Sequence, residues 1–297
     1  MVEAEAEILG VPDSRTAATG AAGWLRLLRR NPTLIAGGLI LVVMVILAVG
    51  APGFTGFDPM ELSPIDRLRA PSSENWFGTD MLGRDIFSRT IHGGRISLQI
   101  GLFVAAISTV LGLSIGLLSG YSRLADGVVM RIMDGMMAIP AILLAIALIA
   151  VMSASVQNVI VALTIPEIPR VVRLVRAQVL SLREQVYGEA ARAAGASPLR
   201  IVARHILPNT LAPLIVQATY IAASAVIFEA YLSFLGAGTP PEIPSWGNVM
   251  AEGRIYVQIA FWIILFPGLF LASTVLAINM VGDGLRDNLD PRVARRL

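Results

Sequence analysis

EAARAAGASPLRIVARHILP, residues 189–208, is a polar, arginine-rich interruption in a chain that is otherwise membrane-apolar. It reads as two short helices with a break between them. Residues 189–194 are alanine-rich and open on Glu189, an acid suited to the positive end of a helix. Gly195 supplies the left-handed residue that ends such a helix. Ser197 then caps a second helix, with Pro198 at its first position, where the missing N–H costs nothing. Leu199, Ile201, Val202 and Ile206 give that helix its apolar content, while Arg200 and Arg204 share a side. Pro208 marks the approach to the next apolar run. The expected product is a compact helical elbow at a membrane surface, able to dock into a groove on another protein.

Composition reaches the membrane independently. Apolar residues make up 55% of the chain and charged residues 15%, with a mean hydropathy of +0.71, whereas soluble domains average about 25% charged. The net charge is only +2, so the placement of the arginines matters more than their sum. There is no cysteine, which excludes disulfides and thiolate metal sites. All 23 basic residues are arginine. A phosphate-binding P-loop and a Schiff-base enzyme both need a lysine, so neither is here. With His92 and His205 the only histidines, the sequence argues against a multi-histidine zinc site as well, and no metal or cofactor is expected on this chain. Any ATP used must be hydrolysed by another chain.

Outward from the elbow, six apolar runs emerge. Residues 1–32 form a cytoplasmic segment, with Trp24, Leu25, Leu27 and Leu28 among Arg26, Arg29 and Arg30 as an interfacial anchor or, alternatively, a regulatory contact. Residues 33–51 are the first span; a cleaved signal is the rival, and the long polar region ahead argues against it. The flanking arginines place the N-terminal side in the cytoplasm. Residues 52–95, rich in Pro and Gly, are an extracytoplasmic loop in which Asp80, Arg84, Asp85 and Arg89 fall at helical spacings and are expected to pair along one helix. A substrate-binding role is the minor alternative for them. The five-helix core spans residues 96–281. In the second span, 96–119, Ser108, Gly112, Gly116 and Gly120 recur every four residues and put a small-residue groove on one helix face. Residues 121–131 are a short cytoplasmic loop, and residues 132–152 the third span, whose Met133, Met136 and Met137 are packing residues. The fourth, 156–174, is broken by Pro166 and Pro169. Arg170, Arg173 and Arg176 then carry it out towards headgroups or cytoplasm, and Glu167 pairs with Arg170 or Arg173. The elbow region is 180–208. The fifth span, 210–235, holds Glu229, an acid that is either intramembrane and paired or functional, or at the outer interface. Residues 236–258 are a second external loop, 259–281 the sixth span, and 282–297 an arginine-bearing cytoplasmic tail. Six helices with both termini inside place the elbow in the cytoplasm.

Glu189-Ala190-Ala191, then Gly195, then Leu207-Pro208 resemble the EAA motif of ABC importer permease subunits, with His205 standing where an apolar residue is usual. FGTDMLGRDIFSR (77–89), QVLSLRE (178–184), RHILPN (204–209), LSFLGAGTPPEIPSWG (232–247) and GDGLRDNLDPR (282–292) resemble the dipeptide/oligopeptide/nickel branch, and its second, C-type permease. The resemblance implies an all-α membrane protein of the type I importer permease fold in a bacterial inner membrane. It implies a homologous second permease, two ATPase subunits carrying the ATP and Mg, and an extracytoplasmic substrate-binding protein. It makes Glu189, Ala190, Ala191, Gly195, Ser197, Leu199, Ile201 and Pro208 the ATPase-coupling set. Nothing suggests nucleic acid. Short peptides are the expected cargo, nickel or glutathione the alternative within the family. From another class, a proton-coupled secondary transporter would use Glu167 and Glu229, which are otherwise candidates for the translocation path or for intramembrane pairing. A membrane-embedded enzyme finds no nucleophile–base pair to support it.

Overall fold

A computed structural model describes residues 31–186 and 193–289. Among them the regular structure is helical throughout, apart from one isolated antiparallel bridge between Thr79 and Asp85. The long helices are α1 (Pro32–Val49), α3 (Ile86–Tyr121), α4 (Arg123–Met137), α5 (Ala141–Val151), α6 (Val156–Arg183), α8 (Leu207–Phe234) and α10 (Trp262–Leu289). The short ones are α2 (Ala51–Phe54), α7 (Pro198–Ile201) and α9 (Trp246–Gly253). Four helices are long and apolar enough to cross a membrane, and α4 with α5 would make a fifth if counted as one bent span.

The packing axis is α3 against α6. The two run parallel in a shared four-residue register: Gly112 faces Val171, Gly116 faces Val175, and Gly120 faces Val179. A Cβ on Gly116 would lie 2.7 Å from the Val175 Cβ, and one on Gly120 would lie 2.6 Å from that of Val179. Without those side chains the backbones close up, which is how helices associate where lipid removes the hydrophobic drive. Ser108, fully buried above them, donates its hydroxyl to the Val104 carbonyl of its own helix. Val171, Val175 and Val179 then join Ile100, Val104, Leu214, Ile201 and Ile206 in the main core.

Five boundaries differ from those expected of the sequence. Helix α3 starts at Ile86, capped by the Asp85 carboxylate accepting from the Ser88 N–H, so residues 86–95 are helix rather than loop. Residues 123–131 are helix as well, the first part of α4. The expected third span, 132–152, is instead divided between α4 and α5, bent by 89° at residues 138–140. Pro140 explains the break, since it lacks an N–H and disfavours helical backbone at the residue before it. Pro166 and Pro169, by contrast, do not interrupt α6; helix-breaking residues are tolerated where neighbouring helices support the backbone. Finally, the second helix of the elbow does not stop before Pro208. It widens into a π-turn, Val202–Ile206, in which the Leu207 N–H reaches back to the Val202 carbonyl, and continues into α8.

Candidate functional site

At the elbow, Gly195 has φ +77°, a left-handed conformation, and open space around it. Ser197 is exposed, and its carbonyl accepts the Ile201 N–H that closes α7. Ile201 and Ile206 point the other way, 4% and 1% exposed, into the core beside Val175 and Val179. Pro208 sits in the first turn of α8, where its missing donor is harmless. Thr210 donates to the Ile206 carbonyl and Asn209 to that of His205, covering backbone acceptors around the π-turn. The elbow is thereby welded to a long helix at one end and seated in the core by two isoleucines. Glu189, Ala190 and Ala191 lie outside the described residues, as does the side chain of Leu199.

Glu167 and Glu229 are not brought together; each is held by its own partners. Glu167 is buried and accepts from Nη1 of Arg170, 3.2 Å from both carboxylate oxygens. The next two arginines of α6 pair with acids of α4. Arg173 Nη2 bonds Asp134 Oδ1 at 2.5 Å, and Arg176 takes both oxygens of Asp126, with Nη2 at 2.7 Å, so the pair clamps α4 onto α6. Arg183 Nη1 donates to the Gly120 carbonyl at 3.0 Å and tethers the far end of α6 to α3.

Glu229 is completely buried near the C-terminal end of α8. Three serine hydroxyls donate to it: Ser245 at 2.7 Å, Ser233 at 2.8 Å and Ser97 at 3.0 Å. Ser245 is also the cap of α9, accepting from the Asn248 N–H, while Ser97 accepts from the Trp246 N–H. One carboxylate therefore joins α3, α8 and α9. Replacing it by leucine would leave three buried donors without their acceptor, at about 1–3 kcal/mol for each group left unsatisfied. Glu229→Leu should lower the thermal midpoint of the solubilised chain and open residues 236–261 to protease. Glu229→Gln, which keeps one oxygen acceptor, should do so far less. Equal stability of Glu229→Leu and the parent would show that the junction carries no weight.

A second polar cluster lies at the C-terminal end of α9. Asp80 Oδ2 takes Arg84 Nε at 2.6 Å and Arg89 Nη1 at 3.2 Å; Glu252 of α9 takes Arg84 Nη2 at 2.5 Å and Arg89 Nη2 at 3.0 Å. The expected ion pairs along one helix are thus replaced by a knot in which Asp80 and Arg84 precede α3 and the fourth member comes from far along the chain. Burial pushes the Glu252 carboxyl above its ordinary value despite the two guanidinium groups that pull it down, so desolvation outweighs the charge pairing here. Asp85 stands apart, bonded to Asn75 and to the Ser88 N–H. Trp262 adds a further tie, donating from its indole to the Thr79 carbonyl at the start of α10, and at the opposite end of that helix Asn288 accepts from Asn31 at 2.7 Å. The first and last described helices therefore meet at the end of the bundle remote from the 52–85 loop. Sequence reasoning missed Glu252, Ser97, Ser245, Asp126 and Asp134 as partners, because nothing local relates them to the groups they serve.

The sequence pattern of the binding-protein-dependent transport system inner membrane component matches residues 85–295. The chain belongs to that family. The N-terminal TM domain of oligopeptide transport permease C matches residues 22–71, ahead of it. Among curated proteins, a probable peptide ABC transporter permease of Sinorhizobium fredii is 52% identical over 92% of this chain and 93% of its own. A dipeptide transport system permease of Alkalihalophilus pseudofirmus is 45% identical over 90% and 88%. Among solved structures, an inward-facing MetNI methionine ABC transporter aligns with a TM-score of 0.57 at 25% identity, covering 69% of this chain and 98% of that one. Members of the binding-protein-dependent family are permease subunits rather than catalysts.

Proposed function

We propose that this chain is one half of the translocation path of an ATP-driven importer of short peptides. The likeness over nearly the whole chain to permeases named for peptides supports the reading most directly. Six spans, namely α1, α3, α4 with α5, α6, α8 and α10, would cross a bacterial inner membrane with both termini and the elbow on the cytoplasmic side. A similar but non-identical permease completes the path, two ATPase subunits bind and hydrolyse ATP with Mg, and an extracytoplasmic binding protein delivers the peptide. ATP closes the ATPase pair, and the elbow carries that movement into the helices as alternating access.

Because the chain has no native cysteine, sidedness can be read directly. Cysteine introduced at Ser197 should react with an impermeant thiol reagent only from the cytoplasm, and cysteine at exposed Ser73 only from outside. Ser197→Cys labelled from outside would end the importer reading. In proteoliposomes holding the full complex, uptake of a di- or tripeptide should require ATP and the binding protein and should survive collapse of the proton gradient. Uptake that follows the proton gradient and ignores ATP would favour secondary transport.

A further inference from the structure

Arg170 is placed differently from the other arginines of α6. It lies near the middle of the helix, and its side chain is 47% exposed, while the Glu167 behind it is 2% exposed. Arg173 and Arg176 direct their Nη2 or Nε edges to Asp134 and Asp126. Arg170 spends only Nη1 on Glu167, and its Nε and Nη2 meet no acceptor among the described residues. That edge is the fork with which a guanidinium grips a carboxylate through two parallel bonds. Where this stretch of α6 lies within the bilayer, a cation facing hydrocarbon would be costly, which favours water or protein at this face. If the chain forms half of a peptide path, as proposed above, water inside that path is the setting that fits.

We propose that Arg170 is a substrate contact, whose free guanidinium edge takes the C-terminal carboxylate of the peptide in transit. Glu167 is the positioning residue: it fixes Nη1 and turns the Nε–Nη2 edge outward. The carboxylate is the one anionic group that every short peptide carries whatever its side chains, so a single arginine serves many sequences. Glu167 also offsets the charge of Arg170, which keeps the grip weak enough for release, as passage through a membrane site requires.

Arg170→Cys in the cysteine-free chain tests this within the complete complex. Loss of a charge-assisted contact should lower trialanine uptake about tenfold or more. Reaction with aminoethyl methanethiosulfonate, which restores a positive charge, should recover much of it; the anionic sulfonatoethyl reagent should not. Excess trialanine should slow both reactions. Arg170→Lys, keeping the charge and losing the fork, should raise KM several-fold with little change in kcat. A cysteine at 170 that stays unreactive would mean that this face meets lipid or the sister permease. That result, equal uptake after either reagent, or an unchanged KM for Arg170→Lys would overturn the proposal. Failure of the unmodified complex to import any di- or tripeptide would count instead against the peptide-importer reading.

Discussion

Leucine in place of Gly116 should leave little assembled complex to purify. The Cβ alone would approach the Val175 Cβ to 2.7 Å and the Val172 carbonyl oxygen to 3.0 Å, and leucine adds three further carbons in the same direction. Val175 is fully buried and has nowhere to retreat. Overpacking of this kind costs about 1–3 kcal/mol and more where backbone limits relaxation. Here the relief is separation of α3 from α6, the pair on which the core is built. Recovery of intact complex should fall about tenfold or more, in line with that cost. Gly127→Leu on α4, where nothing lies within 4 Å, is the control and should behave like the parent. Wild-type recovery of Gly116→Leu would show that α3 and α6 can separate without consequence.

Gly195→Val should insert normally and transport poorly. The position is open, so a new side chain meets no neighbour; the difficulty is the backbone, at φ +77°. A residue with a Cβ enters that region at a cost of about 1–2 kcal/mol, and a β-branched one is worse placed still. That is enough to change the population of the native turn by a factor of about 5–30. Since Ile201 and Ile206 hold the following turns in the core, the strain falls on the chain leading into them and turns the elbow away from the proposed ATPase contact. Uptake should be lost, and ATP hydrolysis should no longer respond to the loaded binding protein. Gly195→Asn, which tolerates left-handed backbone, should retain most of the function. Normal coupled uptake by Gly195→Val would make the elbow a passive linker.

Those two glycines show what the sequence disclosed and by what physics. Gly116 belongs to a repeat of small residues every four positions, a periodic signal that needs no knowledge of the partner to be seen. Gly195 sits between an alanine-rich run and a Ser-Pro cap, a local signal of the same kind. Glu167 and Glu229 also stood out, since an acid among apolar residues is conspicuous. Their surroundings did not. Ser97 and Ser245 reach Glu229 from positions 132 and 16 residues away, and Glu252 meets Arg84 across 168. Serines are common in apolar helices and at helix caps, and no pattern distinguishes the two that close this junction. The prolines misled in both directions. At Pro140 the chain bends by 89°, and the segment after it packs on α6. Pro166 and Pro169 leave α6 intact, and just beyond them Val171, Val175 and Val179 are locked against the glycine groove. A proline states that a donor is missing; whether the helix breaks is decided by its neighbours.

In the orientation proposed above, the unbroken passage from elbow to α8 sets a gearing between the two faces of the membrane. Val202–Phe234 is 33 residues of helix, or about 50 Å at 1.5 Å per residue. An arm of that length, tilted about 10° at its inner end, sweeps its outer end through about 9 Å, more than a whole helical turn. The π-turn and Pro213, where such an arm yields, both lie near the inner end, so the outer reach stays stiff. At its tip the Glu229 junction grips α9 and α3, so a small stroke at the proposed cytoplasmic end would arrive there magnified.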